Sequence, residues 1–348
     1  MNPASLIPLA EPIPIHWAWF DVLLVLTFTA HILFMNALLG SAAIGVVRAL
    51  RGDGGVAREV GKKAPPLLAL TINLGVAPLL FLQVNYGLFD YVSSVLMGGW
   101  WLAVIAALMF SYYGFYLFKF GYEAMSPARR TLLLAASLAG TLYVALMLST
   151  NMTLMLRPEY WPQYFERAGA AMLNFGDPTL YPRFLHFMVG AVAIGGLFVA
   201  LLGRWGKNDD YVNLGMLWLT RGTLVNLGVG LWFLMSLPRE ILLAFMGGSI
   251  PATATLVIGL GCAGMLLAAG FRRQPVQATV WAVLTVFFMS LTRHWLRSLF
   301  LSPWFRIEDT PVTGQYSPLF LFLGFLAAGL AAMAYMLKLY FKSRQGRA

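Results

Sequence analysis

Charge is scarce in this sequence. Of 348 residues, 11% are Asp, Glu, Lys or Arg while 59% are hydrophobic, and the mean hydropathy is +0.74. A soluble domain needs a charged surface and a disordered chain needs more charge still, so both classes are excluded. Cysteine is almost missing: Cys262 stands alone, inside an apolar run. That excludes a disulfide, an iron–sulfur cluster and a covalently attached c-type haem, which needs C-x-x-C-H. Alternation with period two is also lacking, against a transmembrane barrel. The first 16 residues have no basic stretch and contain Pro3, Pro8, Pro12 and Pro14. They read as an outer lead-in, not a cleaved signal peptide.

What the chain does have is long apolar runs. A bilayer-spanning helix takes roughly 20 mainly apolar residues. Nine runs qualify, at about 17–47, 66–88, 99–121, 130–152, 182–204, 214–237, 250–271, 276–301 and 317–342. The expected fold is an all-α polytopic membrane protein, with residues 1–348 forming one integral membrane domain.

The formal net charge of +10 raises nucleic-acid binding, which the placement of the charges excludes. Arg48, Arg51, Arg58, Lys62 and Lys63 crowd the first connection. Lys119, Arg129 and Arg130 fall in the third, Arg204 and Lys207 in the fifth, Arg272 and Arg273 in the seventh. Lys338, Lys342, Arg344 and Arg347 follow the ninth span. The remaining connections are neutral, acidic or balanced. By the positive-inside rule the N-terminus is expected outside and the C-terminus in the cytoplasm.

No repeat or composition break marks a second domain. The segment 152–181, "RPEYWPQYFERAGAAMLNFGDPTLYP" at its centre, is rich in aromatics and proline. It is expected to form an interfacial cap on the outer face. Paired small residues such as Gly40/Gly45 and Gly259/Gly261 suit close helix packing.

Four histidines are present, and none falls on the cytoplasmic side of this topology. His16 sits beside Trp17 and Trp19 and reads as interfacial. At 1.5 Å per residue, His31 lies roughly 21 Å from Trp17 along its helix, near mid-membrane. His186 lies roughly 6 Å into its helix after Pro182, and His294 roughly 12 Å before Ser302. Ionisable groups in a span mark ion, proton or cofactor sites, and imidazole is a standard haem ligand. The plainer alternative is a histidine bonded to a neighbouring carbonyl or hydroxyl.

A second polar cluster, "SLTRHWLRSLF" at 290–300, sets Arg293 and Arg297 one turn apart with His294 beside them. Such arginines either snorkel to the interface or pair with buried carboxylates, for which a guanidinium is well shaped. Asn73, Gln83, Asn85 and Asn226 are expected to hydrogen-bond between helices.

Several segments, in order, resemble subunit I of the cytochrome bd quinol oxidases. They are "TAHILFMNALLGSA", "INLGVAPLLFLQVNYG", "MFSYYGFYLFKFGYEAMSPARR", "STNMTLM", "YPRFLHFMVGAVAIGGLFVALLGRW", "VIGLGCAGMLLAAG" and "LTRHWLR". The resemblance is on the scale of motifs and covers roughly residues 20–300. It implies His31 and His186 as haem-iron ligands, one or two b haems, quinol as substrate, and a bacterial-type cytoplasmic membrane. His294 is the candidate for the missing axial ligand, with Met235 and Met265 behind it. Arg293 and Arg297 would pair with propionates.

Departures from that family are equally informative. Its long quinol-binding loop is reduced here to "LPREILLAFMGGSI". Val257 stands near the axial methionine position and Thr255 near an arginine. The third span, "WWLAVIAALMFSYYG", lacks the family's acids, and "FFMSLTRHW" lacks its glutamate. Ordinary oxygen reduction is therefore not expected. The expected function is a b-type cytochrome-like subunit of a respiratory complex. It would carry electrons between quinol and an outer acceptor, a c-type cytochrome or a second membrane subunit. Tyr160, Trp161 and Tyr164 of the cap are candidates for a quinol pocket. The alternatives are a haem-free transporter or channel, for which Gly75–Pro78 would be a helix break, and a structural subunit.

Overall fold

The computed structural model describes residues 2–166 and 171–345. Among them, nine helices are long and apolar enough to cross a membrane. They are α1 (Trp17–Leu50), α2 (Gly54–Met97), α3 (Gly99–Gly121), α4 (Pro127–Met155), α5 (Leu180–Trp205), α6 (Asp209–Met235), α7 (Ile250–Phe271), α8 (Pro275–Leu301) and α9 (Ser317–Gln345). The chain is an all-α polytopic membrane protein, as its apolar runs require. Its lipid-facing surface is correspondingly oily: Leu102 on α3 is 68% exposed and Phe120 75%. A water-soluble molecule would not tolerate such patches.

α1 is central, packing along α2 and α5 and touching α4 and α8. Glycine permits the closest of these approaches. A Cβ on Gly40 would lie 1.8 Å from the Ala191 carbonyl oxygen of α5. α5 pairs with α6, α7 with α8, and α3 with α4. α9 is peripheral, with 6% of its apolar stretch buried, and meets α2 through the edge-on rings of Phe322 and Phe81.

The α1–α2 connection is a tight reversal. Gly52 takes a left-handed φ of +86°, and Asp53 accepts from Gly55 N–H at the start of α2 while pairing with Arg48. Arg58 pairs with Glu123 beyond α3, and the Arg130 guanidinium lies 4.0 Å from the Tyr122 ring centroid. The basic first and third connections thus meet at one end of the bundle.

α2 runs for 44 residues through Pro65, Pro66 and Pro78. The helix break at Gly75–Pro78 that the transporter or channel alternative would use is absent, since helical dihedrals continue through it. Non-helical dihedrals fall instead at Tyr86 (φ −134°, ψ 21°), where the bend turns buried side chains toward α1 and α8.

The expected cap, 152–181, includes residues 167–170, which lie outside the described residues. The rest folds back on the helix ends. Trp161 is fully buried and donates its Nε1–H to the Leu154 carbonyl at 2.9 Å. Met172 N–H donates to the Leu96 carbonyl at 2.7 Å. Trp161 is therefore a core residue. At the same end the lead-in clasps the α8–α9 connection, with Ile13 N–H donating to Pro311 and Thr313 N–H returning to Ile13. His16 caps α1, its Nδ1 accepting from Ala18 N–H at 3.3 Å.

Candidate functional site

One stripe of α5 defines the site. Arg183, His186, Phe187, Gly190, Ala193 and Ile194 recur at helical spacing and line a cleft of about 300 Å³ among α1, α5, α6, α7 and α8. That volume is at the lower end of the range of small-molecule sites, about 300–1,000 Å³. The walls are mostly apolar. Phe28, Ile32 and Asn36 enter from α1, Arg293 and Met289 from α8, and Asn226, Gly230 and Phe233 from α6. Leu237 and Phe245 of the short α6–α7 connection close one side.

The His186 ring stacks on Phe233 with centroids 6.5 Å apart. Gly230 provides its seat, since a Cβ there would fall 3.0 Å from His186 Cε1. The buried Nδ1 makes no hydrogen bond of standard geometry, although the Asn226 backbone faces it. Asn226 Oδ1 is likewise buried without a partner. Two guanidinia share the cleft, each over an aromatic face: Arg183 is 5.2 Å from the Phe233 centroid and Arg293 4.2 Å from that of Phe28. An apolar membrane cleft holding two guanidinia and an underbonded imidazole suits an amphiphile with carboxylate groups.

His31 is placed differently. It turns toward α2, with Nδ1 2.9 Å from the Thr71 carbonyl oxygen and its ring against Gly75. Its Nδ1–H donates there, which leaves the lone pair on Nε2. A histidine that ligates a metal is normally held in this way. His31 does not border the cleft, so the structure does not bring His31 and His186 to a common wall.

Arg293 and Arg297, adjacent in the sequence pattern, part company. Arg297 leaves the cleft for Tyr86, its guanidinium carbon 4.5 Å from that ring. His294 also stays outside the cleft, its Nδ1 3.7 Å from Asp21 Oδ1. Asp21, Asn85, Tyr86, His294 and Arg297 form a buried polar group among α1, α2 and α8. Both Asp21 oxygens are buried without a hydrogen bond of standard geometry. Met235 and Met265 border neither His186 nor the cleft, and Val257 is 60% exposed toward the lipid. Asn73 bonds within its own helix, to the Ala69 carbonyl, whereas Asn85 reaches the Trp17 carbonyl of α1.

Sequence reasoning passed over Asp21, Tyr86, Arg183 and Asp177. A signal existed for Arg183, which precedes His186 by three residues and so shares its helix face. Asp21 offered only its rarity as an acid inside a span. Among the described residues, no three or more His, Cys, Asp and Glu side chains converge as a metal site.

Fold and site together define a polytopic helical membrane protein with a buried, positively charged cleft around one histidine. No protein-family model matches the chain, and no curated protein matches it in sequence.

Proposed function

We propose that the chain is a membrane-bound b-type cytochrome subunit of a respiratory electron-transfer complex, binding haem at the His186 cleft. The observation that carries the reading is the His186 imidazole, buried in an apolar cleft that Arg183 and Arg293 also line. The residues suit the group: imidazole for the iron, Arg183 and Arg293 for two propionates, and an apolar lining for the macrocycle. When bound, haem supplies one-electron chemistry. The chain's own residues orient the imidazole against Gly230 and Phe233, neutralise carboxylates that are otherwise expensive in a bilayer, and exclude water.

His31, held by Thr71 with Nε2 left for a metal, supports a second ligand position outside the cleft, beside Phe28. The electron partners, quinol on one hand and a c-type cytochrome or second membrane subunit on the other, follow from the resemblance to the cytochrome bd subunit. So does residence in a bacterial-type cytoplasmic membrane. Oxygen reduction is not proposed, because α3 carries no acid: its buried Ser111 donates to the Ala107 carbonyl of its own helix.

The test is a dithionite-reduced minus oxidised spectrum of the purified chain with pyridine-haemochrome quantification. Loss of a b-type α-band in folded His186→Ala supports the cleft assignment, and the His31→Ala spectrum counts the sites. A folded, haem-supplied wild type without haem sinks the reading and leaves the transporter and structural alternatives.

A further inference from the structure

α6 carries a charge where the bundle meets lipid. Arg221 stands midway along the 27 residues of this helix, roughly 18 Å from Asp209 and roughly 21 Å from Met235 at 1.5 Å per residue. It is exposed on the outside of the bundle. Among the described residues, nothing forms a hydrogen bond, ion pair or ring contact with it. The spans' other charged residues, away from the basic end, turn inward. Asp21, Asp90, Arg183 and Arg297 are each at most 5% exposed, and Arg293 lines the cleft. Arg221 is the exception.

Its neighbours one and more turns away on the same helix face, Leu217, Leu224, Val225, Trp232 and Met235, are 45–65% exposed. Between them Gly228 has nothing within 4 Å of the place a Cβ would take, so another helix could approach α6 closely there. A guanidinium in hydrocarbon is costly, and charges within spans normally meet a counter-charge. Snorkelling would have to carry this one back across roughly two helical turns, to where the apolar run begins at Leu214. A carboxylate at the same depth satisfies it directly, through a charge-assisted pair. A second copy of the chain cannot supply that carboxylate. Its span acids Asp21 and Asp90 are buried, and its other acids lie in connections or near helix starts.

We propose that the Arg221 face of α6 docks a transmembrane helix of a different subunit, one that carries an aspartate or glutamate near the middle of its span. The surface lies outside the His186 cleft and does not depend on haem, so a haem-free chain leaves this inference standing.

The test is photo-crosslinking in the membranes of the organism that makes the protein, with a benzophenone amino acid in place of Val225 in the full-length chain. The expected product is an adduct with one other membrane protein, whose crosslinked span contains an acid. Arg221→Gln should reduce the adduct at least ten-fold, and Arg221→Lys should keep most of it. Arg221→Asp should also lose it, and replacing the partner's acid by arginine should restore it in that background. Unfolding temperature and elution profile check that each variant is folded. If Arg221→Gln does not fold, the exchange of charges carries the test, and failure to restore the adduct overturns the inference. It is also overturned by an adduct that Arg221→Gln leaves unchanged, by a partner span without an acid, or by no protein adduct. Adducts to phospholipid alone would mean that Arg221 snorkels, and an adduct of twice the chain's mass would mean a second copy; either overturns it.

Discussion

The Nδ1 of His31 lies 2.9 Å from the backbone oxygen of Thr71, and Gly75, one turn further along α2, leaves room for the ring. A Cβ at Gly75 would approach His31 Cε1 to 2.8 Å. Gly75→Ala must therefore push the ring or separate α1 from α2. The expected loss is about 1–3 kcal/mol, as for other overpacked interiors. Thermal unfolding in detergent measures it, and the combined His31→Ala/Gly75→Ala variant should recover part of the loss. No recovery would mean that the ring is not what Gly75 accommodates.

Asp21 and Arg297 provide a second measurement. Both are buried, Asp21 beside His294 and Arg297 against the Tyr86 ring. Asp21→Asn and Arg297→Gln each remove one buried ionisable group from this cluster, and each is expected to destabilise by about 1–3 kcal/mol. The double variant should lose clearly less than the sum of the two. Strict additivity in this cycle would show that the pair is not coupled.

Trp161, which the sequence offers as a quinol-pocket residue, is fully buried in the core. Trp161→Ala is expected to cost about 3–5 kcal/mol and to expose 156–166 and 171–179 to limited proteolysis. Trp161→Phe, which loses only part of the ring and the bond to Leu154, should cost less. If Trp161→Ala matches wild type in protease resistance, the folded-back packing of this segment is wrong.

The membrane orientation is open to direct labelling, because Cys262 is buried and is the single native cysteine. Cysteines placed at the exposed positions Glu11 and Gln315 should react with an impermeant maleimide added to intact cells. A cysteine at Arg51 should react only after permeabilisation. The reverse pattern would invert the topology.

Much of the fold is written locally. Each of the nine spans is a hydropathy run of membrane length, and each basic connection is a cluster of neighbours in the chain, so both could be read without knowing what touches what. Hydropathy ends a span where polarity rises, but α2 continues as helix well beyond its apolar core, because helical hydrogen bonding does not stop at the membrane boundary. The helix face of each polar residue was only half legible. Arg183 and His186 share a stripe by their spacing alone, yet Arg293 and Arg297, with equally regular spacing, serve different places.

Which helices surround each polar residue was decided by tertiary structure. Thr71 is 40 residues from His31, and Asp21 meets His294 across most of the chain. Such partnerships depend on helix rotation, on the glycine contact that draws α1 against α5, and on the bend at Tyr86. The sequence alone therefore determined a helical membrane bundle with histidines inside it. Only the packing decided that His186 borders a cationic cleft while His31 turns to α2, because a side chain's surroundings are set by neighbouring helices and not by its own.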